Sequence, residues 1–150
     1  MRMIWFVFAL VVTTMLAQAE DMASMISEYR HAHGLSAVHA DAQLTAIAER
    51  QAHAMATKGV MGHSVSGPFA TRIADVRANS AGENIAAGTK TWSETVHVWK
   101  ASAGHNANLL LPGATSVGVA VAYDAQTRKK AYWAMVIANK AERRLLTKRR

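Results

Sequence analysis

Val117-Gly118-Val119-Ala120-Val121-Ala122-Tyr123, followed by Tyr132-Trp133-Ala134-Met135-Val136-Ile137, is the stretch on which the fold turns. In the first run large apolar residues alternate with small ones, the period of two that lines one face of a strand. The second is a β-favouring run, and Asp124-Ala125-Gln126-Thr127 supplies turn residues, so two strands are expected to pair as a hairpin. Upstream the period is helical. Leu44, Ile47, Ala48, Gln51, Ala52 and Met55 recur at three- and four-residue steps, with Asp41 placed as N-cap and Gly59 as the stop, which predicts a helix over 42–58. Met22, Met25, Ile26 and Tyr29 give an earlier helix that ends at Gly34. Thr91-Trp92-Ser93-Glu94 is a capping box, which predicts a helix running to about Ser102. A short helical stretch is expected around 69–76, and the small residues of 79–88 read as loop or short strand. Helices first, strands last and no long crossover between the strands give an α+β fold with a largely antiparallel sheet.

Composition narrows the function classes. The 150 residues hold no cysteine, which excludes disulfides, thiolate chemistry and iron–sulfur clusters; 51% are hydrophobic, so the chain is not disordered. Any metal must be held by His, Asp or Glu. Arg2, the apolar run Ile4 to Val12 and the small residues of Ala17-Gln18-Ala19 form the pattern of a secretory signal cleaved before Glu20. The apolar run is too short for the roughly 20 residues that span a bilayer. The expected organisation is therefore a signal over 1–19, one domain over 20–138 and a basic tail over 139–150, on a protein that is secreted or periplasmic. The tail carries Lys140, Arg143, Arg144, Lys148, Arg149 and Arg150 against Glu142 alone. It has no interleaved aromatics, so nucleic acid is not the expected partner; weak association with anionic membranes or cell-wall polymers is. A monomer is expected.

Three titratable residues each follow a glycine: Gly62-His63, Gly82-Glu83 and Gly104-His105. Two imidazoles and a carboxylate can hold zinc or another divalent ion with a position left open, provided that they meet. Glycine before each would let the backbone crowd at a shared pocket. Their separations are long, so nothing local enforces the meeting.

The chain resembles the CAP superfamily of cysteine-rich secretory, antigen five and pathogenesis-related proteins, and within it the bacterial SCP-like extracellular branch. The resemblance rests on Tyr29-Arg30, the helix of Leu44 and Ala48, His63, Phe69-Ala70-Thr71-Arg72-Ile73, Gly82-Glu83-Asn84-Ile85-Ala86, Trp99 to His105, Asn108-Leu109-Leu110, Val117-Gly118-Val119 and Tyr132-Trp133, in that order. It implies an α–β–α sandwich with a central cleft lined by two histidines and two glutamates that sometimes hold zinc or magnesium. His63, Glu83 and His105 match three of the four. Lys100-Ala101-Ser102 stands where many relatives carry the second glutamate, so Ser102 takes its place. Asn84 and Asn108 complete the expected cleft.

Three functions follow from that cleft. The first and preferred is a secreted binding module for a divalent ion or a small or lipid-like ligand. The second is a metal-dependent hydrolase of esters or peptides, with Glu83 as ligand or general base; a serine variant would use Ser64 or Ser102. The third is a cell-envelope interaction protein with a vestigial cleft.

Overall fold

The computed structural model describes residues 4–128 and 130–140, with the side chains of 4–17 left aside. The elements are α1 (Ile4–His31), β1 (His39–Ala40), α2 (Ala42–Lys58), α3 (Phe69–Arg72), β2 (Ala78–Ala87), α4 (Trp92–Lys100), α5 (Ala103–Leu109), β3 (Ser116–Tyr123) and β4 (Ala131–Lys140). They form one four-stranded sheet in the order β1-β3-β4-β2. The β3–β4 and β2–β4 pairs are antiparallel and the short β1–β3 pair is parallel. The mostly antiparallel sheet is covered on both faces, which is the α–β–α sandwich that the family resemblance implied.

Strand β4 shows why two layers of helix are needed. Every residue from Ala131 to Ala138 is buried, because alternate side chains enter different cores. Tyr132, Ala134, Val136 and Ala138 pack with Leu44, Ile47, Ala48, Ala52 and Met55 of α2. Trp133, Met135 and Ile137 pack with Ile26 of α1, Trp99 of α4 and Leu109 of α5. Helix α2 is capped as its residues dictate: the Asp41 carboxylate accepts from the Leu44 amide, and Gly59 stops it at φ 67°, in the left-handed region. At α4, Thr91 accepts from the Glu94 amide and Glu94 from the Lys90 amide, one residue before the reciprocal contact of an ideal capping box.

Several boundaries move. Helix α1 runs without a break from Ile4 to His31, so the expected cleavage point before Glu20 lies inside it; among the described residues no helix is long and apolar enough to cross a membrane. The segment 79–88 is a full ten-residue strand, β2, because β4 offers it a partner along its whole length. Helix α4 stops at Lys100, and Ser102 begins a separate helix, α5, that the sequence did not announce. Asn139 and Lys140 of the expected tail close β4; the remainder, 141–150, lies outside the described residues.

Candidate functional site

Glu83 and Asn84 are neighbours on β2, and strand alternation sends their side chains to opposite faces of the sheet. Ile85 joins the core under α2 and Ala86 the core under α4, so Glu83 points with the first and Asn84 with the second. The site is thereby built in two halves around the edge strand.

On the α2 side the centre is Glu83, 5% exposed. Arg72, the last residue of α3, grips it with both arms: Nη1 donates to Oε2 at 2.6 Å and Nη2 to Oε1 at 2.9 Å. His63 Nδ1 lies 2.9 Å from Oε1; since a carboxylate can only accept, that nitrogen carries the proton and Nε2 is left with a lone pair or a second proton. Arg72 also donates to the carbonyls of His63 and Gly67, which fixes the loop that carries the histidine. Gln51 braces the same loop from α2. Its Nε2 donates to the Gly62 carbonyl, and its Oε1 accepts from the amide and hydroxyl of Ser66. A buried glutamine in an apolar helical stripe was the one local sign of that role. Arg72 gave none beyond its place in the Phe69 to Ile73 string, because its partner lies eleven residues away on another element.

On the α5 side Asn84 is fully buried, and its Nδ2 donates to the His105 carbonyl. Asn108 Nδ2 donates both to Asn84 Oδ1 and to the Glu83 carbonyl, so the two asparagines hold the frame of the site and spend these groups on each other and on backbone. Gly82 makes this possible, since a Cβ there would fall 2.4 Å from Asn108 Oδ1. The crowding expected at all three glycines is real only here: Gly62 would meet Val65 at 3.4 Å, and Gly104 faces nothing within 4 Å. The His105 ring lies 6.5 Å from that of Trp99. Burial, and second the charge of His63, lower the His105 pKa, so the imidazole is held neutral with a buried Nδ1 that has no partner. Ser102 begins α5 without a capping side-chain bond, and among the described residues no hydrogen bond joins Ser64 or Ser102 to either histidine.

The donor set does not fit a divalent ion as it stands. Among the described residues no group of three His, Asp or Glu side chains could hold a metal, and His63, Glu83 and His105 are therefore not a ligand set in this arrangement. The physical reason is Arg72. Both oxygens of the one carboxylate already face a guanidinium, which supplies the positive charge that a metal would have supplied.

Residues 23–137 match the sequence profile of the cysteine-rich secretory protein family. An uncharacterised Bacillus subtilis protein, YkwD, is 31% identical over 107 residues, or 69% of this chain; the chain spans 42% of that protein's length. Among solved structures, an outer surface protein of Borrelia burgdorferi superposes with a TM-score of 0.71 at 19% identity, covering 80% of this chain and 90% of that one. An extracellular SCP-domain protein of Bacillus anthracis gives 0.71 at 24% identity, over 83% and 41% of the two chains.

Proposed function

The chain belongs to the cysteine-rich secretory protein family, and from that footing we propose that it is an extracellular binding module whose site takes a small or lipid-like ligand through His63 and His105, with Arg72 in the place of a resident metal. The extracellular setting is supported by the secretory pattern of residues 1–19 and by relatives described as extracellular or outer-surface proteins. The observation that carries the reading is the two-armed Arg72–Glu83 pair. It neutralises the buried carboxylate, which leaves the imidazoles as the groups able to address a ligand. His63 is about half exposed and His105 is a partly buried, neutral imidazole, a pair suited to a hydroxyl or another hydrogen-bonding head on an otherwise apolar molecule.

The hydrolase reading is weaker on the same ground, because the water it needs is activated by a metal for which Glu83 has no free oxygen. Thermal unfolding with a panel of fatty acids, sterols and small hydroxylated solutes tests the proposal. At least one should raise the Tm of the wild type and not that of His63→Ala/His105→Ala. An equal rise in both proteins would put binding elsewhere, and no rise with any of them would end the proposal.

A further inference from the structure

A second hollow, of about 570 Å³, lies at the opposite edge of the sheet from β2 and the site beside it. Strand β1 covers that edge only at Ser116 and Val117, and the last rung is the Asp41 amide donating to the Val117 carbonyl. There the chain leaves the sheet to begin α2. By strand alternation Val119 and Val121 turn their amides and carbonyls outward at the same edge, where among the described residues no strand meets them. Helix α2 gives the hollow one wall, with Ala42, Ala46 and Glu49, and α1 gives the other, with Glu20 and Met22. The space is a slot beside an open strand edge, between the two helix layers.

We propose that this slot takes an extended peptide of another protein, rich in lysine or arginine, which adds to the sheet as a strand beside β3. The open rungs at Val119 and Val121 call for main-chain donors and acceptors, which a peptide strand supplies and a compact apolar molecule does not. A strand in that position turns alternate side chains toward α2 and toward α1, so each wall meets one set of them. The charge of the walls selects the sign. Among the described residues no basic side chain pairs with Glu20 or Glu49, whereas Asp41, the third acid of the lining, is already held by Lys140 Nζ at 2.6 Å and by the Leu44 amide. The whole chain carries a formal charge of +7, so a cationic peptide is drawn to this edge by the local acids and not by net charge. The same acids disfavour a second copy of this chain, because a two-fold contact would set like charges against each other. Tyr123, 49% exposed at the end of β3, follows Val119 and Val121 on the same face and prolongs the apolar strip beyond the hollow.

The test uses the full chain and a capped heptapeptide of alternating lysine and valine. Saturating peptide should slow hydrogen exchange at the Val119 and Val121 amides at least ~10-fold. Two control peptides separate the causes. An alternating glutamate and valine heptapeptide should bind at least ~10-fold more weakly, as should the lysine and valine peptide N-methylated at every residue, which has the charge but no amide to donate. Glu49→Lys, an exposed change on α2, should weaken the basic peptide at least ~3-fold. No binding, binding that leaves both amides unprotected, or equal binding of the N-methylated peptide would overturn the proposal. Protection of the two amides that rises with concentration of the chain alone would assign the edge to a second copy and refute it.

Discussion

Arg30 carries a charge into the interior, fully buried, with no acid in salt-bridge contact among the described residues. It is held by carbonyls instead. Nε donates to Ser36, Nη1 to Leu109 and Leu111, and Nη2 to Ala114, so one side chain ties the end of α1 to the segment between α5 and β3. Replacement by methionine keeps the volume but strands those carbonyls, each costing about 1–3 kcal/mol when buried without a donor. Arg30→Met should lower unfolding free energy by more than ~3 kcal/mol in urea titrations; a loss within ~0.5 kcal/mol, the range of surface substitutions, would show that the carbonyls find other donors. His105 gives a second prediction. Its pKa is lowered by burial and by His63, so as pH falls the unfolded chain takes up a proton that the folded chain refuses. The stability tied to neutral His105 is complete above about pH 6.5 and declines as pH drops from there toward the folded value. His105→Asn should flatten the fall in stability between pH 7.5 and 5.0, and an identical profile in both proteins would contradict the assignment. Neither role was legible in the sequence. Arg30 and His105 are defined by partners from other elements, and composition does not reveal those partners.

At the scale of elements, legibility followed locality. Helix α2 was readable to the residue because Asp41, the apolar stripe and Gly59 all act within a few turns of one another. The β3–β4 hairpin was readable because β3 alternates. Strand β2 was readable only as loop or short strand, since Ala78-Asn79-Ser80-Ala81-Gly82 has little β-propensity of its own and becomes a full strand by pairing with β4. Helix α5 was missed because Ala-Gly-His-Asn-Ala-Asn-Leu has no apolar period. Gly118 shows how close these elements come: a Cβ there would lie 2.1 Å from the Leu44 carbonyl carbon and the Thr45 nitrogen. The start of α2 rests directly on β3, and no side chain can rotate away to relieve the clash. Gly118→Ala should therefore cost at least ~3 kcal/mol, or leave the protein insoluble, when measured by chemical denaturation. A loss under ~1 kcal/mol would mean that α2 can lift off the sheet without consequence.

For the molecule as a whole, the candidate site was legible as a set of residues but not as an arrangement. The glycine-preceded His63, Glu83 and His105 do gather at β2, yet the edge strand runs between the two halves, and Arg72 from α3 takes the position from which a cation would address Glu83. One arginine thus turns the reading of the other three residues from metal coordination toward a hydrogen-bonded cluster, which is the central claim to be tested. The most direct measurement is thermal unfolding in zinc. A site occupied at 1,000-fold excess over Kd adds about 4 kcal/mol, worth roughly 10 °C in a domain of this size. The wild type should show no zinc-dependent rise in Tm, whereas Arg72→Leu, which takes the guanidinium off Glu83 and leaves Oε2 open, should gain one that Glu83→Gln or His63→Ala removes. A zinc-dependent rise in the wild type that disappears with His63→Ala would show that Arg72 yields its place to a metal, and would contradict the account.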